Sequence, residues 1–147
     1  MSVIVTDPCV EDRILAERKA SGGDRFDEVW NGVYWISPLP GMEHQRIATQ
    51  LATILQVTIG WSGLGEVFNG INVSDREQGW EQNFRCPDVA VILYGGRARS
   101  HGAFCLSGPD FIVEILSPGD RAHEKIPFYS HVGVRELLLI DRDPWVL

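Results

Sequence analysis

The chain is 147 residues long, 44% hydrophobic and charged to −7, which fits one domain around one core. No uncharged apolar run approaches the roughly 20 residues of a membrane span, and the opening MSVIVTDPCVEDRILAERKA mixes acids and bases too early for a secretory signal, so a cytoplasmic protein with no membrane partner is expected. Twenty acids against 13 lysines and arginines argue against a protein that coats nucleic acid by bulk phosphate neutralisation; a metal-dependent nuclease stays compatible, because carboxylates clustered for a cation inflate the negative count.

Residues 1–25 read as an N-terminal arm, loosely packed or mobile, with a short helix over Ile14–Ala20 before the Ser21-Gly22-Gly23 break. Residues 26–147 form the domain proper. Phe26–Ile36 (FDEVWNGVYWI) sets Asn31-Gly32 between two apolar runs, the strongest short hairpin signal because both turn residues need positive φ. His44–Ile59 carries Ile47, Leu51, Ile54, Leu55 and Thr58 on one helical stripe, with Gly60 as its stop. Gly65–Val73 reads as a strand with a turn or bulge at Asn69-Gly70, and Asp75–Asn83 as an exposed loop.

Two nearly continuous apolar runs follow, Asp88–Leu93 (DVAVIL) and Phe111–Leu116 (FIVEIL), each suited to a strand buried on both faces. GGRARSHGAFCLSG between them reads as flexible and basic. Pro127 interrupts the helical stretch Ala122–Val132, so a turn to Lys125 and a short helix from Pro127 are expected. Gly133 ends it, and Glu136–Ile140 is a further strand. The order gives an α/β domain, a mixed β-sheet flanked by helices with an N-terminal β-hairpin. Residues 1–45 hold eight acids and four bases, residues 95–147 seven and six, so a phosphate-facing surface is expected toward the C-terminal half.

Glu114 is the one polar residue in FIVEIL, and Asp88 opens the other run. A buried carboxylate must be paired, protonated or bound to a cation. If the two strands are neighbours, both carboxylates converge at one edge of the sheet and offer hard oxygens to Mg²⁺ or Mn²⁺. The alternative is a structural ion pair, for instance Glu114 with Arg85 or Arg121, and Asp88 as a turn former after Pro87. Lys125 is one of only two lysines beside eleven arginines, and its place after the Glu114 strand could bring its ammonium over the site, unless it is a solvated surface lysine. His44 reads as a helix-start residue, and His123 and His131 as surface or cap residues. No HExxH, GxSxG, P-loop or GxGxxG occurs, and Cys9, Cys86 and Cys105 are widely spaced with no CxxC; zinc, acyl-transfer and nucleotide-binding chemistry lack support.

The segments RCPDVAVIL, GPDFIVEILSPGDRAHEKIPFYSHVGV and ELLLIDRDP, preceded by WNGVYWISPLPGMEHQRIATQLATIL, resemble the Uma-two family of restriction endonucleases, a branch of the PD-(D/E)XK nuclease superfamily. The resemblance runs from about Phe26 to Pro144. It implies a restriction-endonuclease-like fold and a Mg²⁺-dependent endonuclease, Mn²⁺ substituting, whose expected substrate is nucleic acid, DNA ahead of RNA. It implies Asp88 and Glu114 as catalytic metal ligands, helped by the Ile115 carbonyl. Leu116 stands where the strict pattern has its Lys, and Lys125 matches the placement that replaces it in related families. Asp120 and Tyr129 match positions lining the same pocket. Val33 replaces a frequent acid, and either Glu28 or Glu43 could supply another. A homodimer is compatible with this reading. So is a noncatalytic module on the same fold that binds nucleic acid or protein. The chain ends at DRDPWVL, where family members usually continue, so a shortened member and a fragment both stay open.

Overall fold

Asn31 and Gly32, with φ of 51° and 83°, turn β1 (Glu28–Trp30) back onto β2 (Val33–Trp35), as two successive positive-φ residues do in tight hairpins. The computed structural model describes residues 7–142 and the backbone of Trp145 and Val146. The rest of the N-terminal arm (1–6), and Asp143, Pro144 and Leu147 of the C-terminal tail, lie outside the described residues.

Within the arm, helix α1 spans Pro8–Ser21, longer than the segment expected from Ile14 to Ala20. Its start is fixed locally. Asp7 Oδ1 accepts from the Cys9 amide at 2.9 Å, Pro8 stands at the first helical position, and Gly22 closes the C-terminus at φ 69°. One residue ties the helix to the hairpin. Arg18 donates to both oxygens of Asp27 at 2.6 and 2.7 Å and to the Ser37 carbonyl at 3.2 Å. Asp27, 2% exposed, also accepts from Tyr34 Oη and the Ser37 amide. Asp27→Ala should therefore cost roughly 3–5 kcal/mol, the penalty for breaking a buried pair from one side; urea unfolding measures it, and a loss below about 1 kcal/mol would show the anchor to be idle.

Helix α2 (Met42–Leu55) continues into one π-helical turn over Gln56–Gly60. Ile47, Leu51 and Leu55 pack on the core beside buried Ala48 and Ala52, whereas Ile54 is 58% exposed; the buried stripe is rotated by one position from the expected one. The chain then forms β3 (Gly65–Phe68), β4 (Val73–Ser74), β5 (Phe84–Arg85), β6 (Val89–Leu93), β7 (Arg99–Ser100), β8 (Cys105–Leu106), β9 (Phe111–Ile115), α3 (Ala122–Val132), β10 (Glu136–Arg142) and β11 (Trp145–Val146). Five strands build a mixed sheet in the order β11-β10-β9-β6-β3, parallel only between β9 and β10. A second mixed sheet of short strands runs β2-β1-β5-β4-β8-β7. Three expectations need correction. The run 65–73 is not one strand, since the chain changes sheets between Phe68 and Val73. The basic segment 95–108 contains the β7–β8 hairpin. Helix α3 is continuous through Pro127: one missing backbone hydrogen bond is outweighed by burial of Ala122, Phe128 and Tyr129 on its inner face.

Strand alternation divides the core. Val89, Val113 and Ile115 meet α2, whereas Ala90 and Ile112 meet Phe128 and Tyr129 of α3. Glu114 therefore belongs to the α3 side, in step with Ile112.

Candidate active site

Val89 pairs with Val113 across antiparallel β6 and β9, so the next step of the ladder sets Asp88 level with Glu114, and residues opposite each other share a face. Asp88 Oδ2 accepts from the Ile115 amide at 2.7 Å and lies 3.3 Å from His44 Nε2. Both contacts use the same oxygen. Glu114, 3% exposed, accepts from Lys125 Nζ through both oxygens at 3.1 Å and from the hydroxyl of Tyr129. Lys125 also reaches Glu28 Oε1 at 2.8 Å. Glu28 in turn accepts from the Cys86 amide and from Trp30 Nε1, each at 2.7 Å. The residues come from five places: the hairpin, the start of α2, the entry to β6, β9 and the first turns of α3.

Except for Tyr129, which is expected to line the pocket but is buried against Glu114 and does not reach it, these side chains line one cleft of about 430 Å³, together with Trp35, Asp120, Arg121 and Arg142. Arg142 donates to the Leu116 carbonyl and to Ser117 Oγ, which ties the end of β10 to the loop at the cleft mouth. Three carboxyl groups (Glu28, Asp88, Glu114) face one lysine, so acids outnumber bases in a poorly solvated site. The titration shifts follow. Burial pushes the Glu114 carboxyl up to about 8, and the charges of Glu28 and Asp88 add to that against the opposing pull of Lys125. Burial works to lower Lys125, but Glu114 and Glu28 outweigh it and hold the ammonium above its ordinary 10.5. Tyr129 is raised by burial and by the same two carboxylates. Each of these shifts retains a proton in the cluster.

The sequence-derived residues separate clearly. Asp88, Glu114, Lys125, Tyr129 and Glu28 come together. Glu43 does not join them; it is 49% exposed on its side chain and pairs with Arg142 at 3.1 Å. Asp120 lines the mouth, where it accepts from the Ser117 amide at 3.3 Å. Ile115 meets Asp88 through its amide. The suggested partners of Glu114, Arg85 and Arg121, are elsewhere: Arg85 lies between the rings of Trp30 and Phe128, and Arg121 over Trp35. Lys125 takes that role, so it is not a solvated surface lysine. His44, read only as a helix-start residue, is buried against Asp88, and its Nδ1 has no partner among the described residues. No sequence signal marked it, since the contact depends on how α2 lies across the entry to β6.

The family profile Uma2, described as "Putative restriction endonuclease", matches residues 17–144. The chain belongs to the Uma2 family. The crystal structure of "a putative nuclease belonging to DUF820" from Anabaena variabilis ATCC 29413 is similar to this Uma2 chain with a TM-score of 0.63 and 21% identity, over 80% of this chain and 66% of that one. At that identity the likeness establishes the shared fold. The Uma2 chain spans about two thirds of that protein's length. No protein of curated function matches it.

Proposed function

We propose that the chain is a divalent-metal-dependent endonuclease that hydrolyses phosphodiester bonds in DNA, with Mg²⁺ as its ion and Mn²⁺ as a substitute. The observation that carries this is the meeting of Asp88 and Glu114 from neighbouring strands, with Lys125 within hydrogen-bonding distance of Glu114. Among the described residues no three His, Cys, Asp or Glu side chains are arranged as a ready-made metal cage. The donor chemistry nevertheless fits. Mg²⁺ is commonly held by only one or two carboxylates plus water and substrate phosphate, and in this cluster acids outnumber bases. Asp88, Glu114 and the Ile115 carbonyl would hold the ion, which when bound polarises phosphate oxygens and lowers the pKa of water. Lys125 stabilises negative charge developing on the phosphate as the water attacks phosphorus and a deoxyribose oxygen leaves. Glu28 positions that ammonium from the opposite side, and Tyr129 fixes the rotamer of Glu114. The route for DNA is through the cleft mouth, where Arg121 and Arg142 offset the acids.

One observation favours a second reading. Lys125 occupies both oxygens of Glu114, a closed ion pair that would suit a noncatalytic binding module. A titration of Mg²⁺ and Mn²⁺ against supercoiled plasmid and single-stranded DNA decides between them. Metal-dependent cleavage of either by wild type, with none by Glu114→Ala, is the expected result; an inert wild type with every divalent ion gives the noncatalytic reading.

A further inference from the structure

We propose that the cleft accepts one unstacked nucleobase, unpaired or turned out of its strand, on a platform of flat groups formed by Trp30, Trp35 and Arg121. The proposal deepens the nuclease reading and rests on it for the class of ligand.

The hairpin sets the platform by its register. Glu28 stands opposite Trp35, and the period of two puts Trp30 on the face of Glu28. One face of β1–β2 therefore presents an acid and two indoles to the same cleft. The two rings lie with centroids 4.7 Å apart at 36°, and the Arg121 guanidinium rests against both, 4.4 Å from the Trp35 centroid and 6.0 Å from that of Trp30. The inner side is closed: buried Arg85 covers Trp30 at 4.6 Å and is itself covered by Phe128 at 4.3 Å. Arg121 is the outer group: its side chain remains 42% exposed, and Glu124 engages the edge of the guanidinium through Nε and one terminal nitrogen. A planar cation resting on an indole offers its second face to another π-system, and bases stack on arginine planes and aromatic rings without regard to sequence.

Position and size agree. Trp30 Nε1 holds Glu28, and Glu28 holds Lys125, so the platform is two polar contacts from the ammonium assigned to the phosphate. The cleft, about 430 Å³, falls in the range that encloses one small molecule, the scale of a nucleotide and not of a duplex. A duplex would have to give up a stacked base to engage it, whereas a single strand would not. Preference for single-stranded or distorted DNA follows.

The test measures binding of a fluorescein-labelled oligothymidylate and of a duplex of equal length, in EDTA and over a salt series. Three full-length proteins are compared: wild type, Arg121→Lys, which keeps the charge but loses the plane, and Arg121→Leu, which loses both. Wild type should bind the single strand about tenfold more tightly than the duplex, and Arg121→Lys should lose that preference as fully as Arg121→Leu. A wild type without preference, or an Arg121→Lys variant that keeps it, overturns the proposal. Cleavage in Mg²⁺ is read separately. Single-strand preference without cleavage supports the base site and removes the nuclease reading. Cleavage of duplex and single strand at equal rates, unaffected by Arg121→Lys, removes the base site and leaves the nuclease reading intact.

Discussion

Lys125→Ala should lower Mg²⁺-dependent DNA cleavage by roughly 10²–10³-fold, the usual loss for one charge-stabilising donor, while DNA affinity changes by no more than about twofold. A group that acts on charge developed in the transition state lowers turnover without weakening the ground-state complex. The structure adds a stability component. Lys125 is the cation between Glu28 and Glu114, and its side chain is only 11% exposed. Its removal strands two carboxylates, at a cost of roughly 3–5 kcal/mol for a broken buried pair. Part of that cost relaxes, because Glu114 already holds a proton more tightly than a free carboxyl and can take one up. Cleavage must therefore be compared at a temperature where urea titration shows both proteins folded. Lys125→Arg should rescue poorly, since the forked guanidinium is larger than the point charge that fits between Glu28 and Glu114. Equal cleavage by folded wild type and Lys125→Ala would take Lys125 out of the mechanism. A binding module predicts a different pattern, weaker DNA binding and a salt dependence flattened by about one charge.

Much of this cluster was legible because the chain breaks its own pattern there. An acid inside FIVEIL has no structural excuse in an apolar strand, and a lysine in a chain that otherwise uses arginine stands out. Glu28 and Glu43 could not be separated from sequence. One faces the cleft from a hairpin and the other looks to solvent from a helix start, a difference made only by how the hairpin lies against α3. The second sheet was largely invisible for another reason: β4, β5, β7 and β8 are two residues each, too short to show alternation. Their pairing comes from partners far along the chain, such as Val73 with Cys105. Pro127 reads as a break because its helix propensity is roughly 3 kcal/mol unfavourable, a penalty offset by the packing of Phe128 and Tyr129. The cationic contacts of Arg85 and Arg121 with indoles are likewise products of tertiary folding, with no spacing that announces them.

Glu114→Gln should abolish cleavage and, without metal, leave the protein at least as stable as wild type at pH 8. The sign follows from the raised carboxyl. A group whose pKa climbs on folding from 4.5 to about 8 favours the folded state most below 4.5, and that contribution is lost as pH rises through 8. Metal-free wild type should thus show a falling Tm between pH 5 and pH 8, and Glu114→Gln, which has nothing to titrate there, a flatter profile. The amide does not strand Lys125, which keeps Glu28 at 2.8 Å. Metal reverses the comparison. An ion that binds only the folded state adds stability by mass action, roughly 2.7 kcal/mol at a hundredfold excess over Kd, so Mg²⁺ or Mn²⁺ should raise the Tm of wild type at pH 8 and leave Glu114→Gln unmoved. If Glu114 serves only its ion pair, the outcome changes at each point: metal shifts neither protein, and the variant loses roughly 3–5 kcal/mol. Melts of both proteins at pH 5 and pH 8, in EDTA and in Mg²⁺, separate the two cases, because a carboxylate waiting for a cation is a liability without one and a carboxylate built for lysine is not.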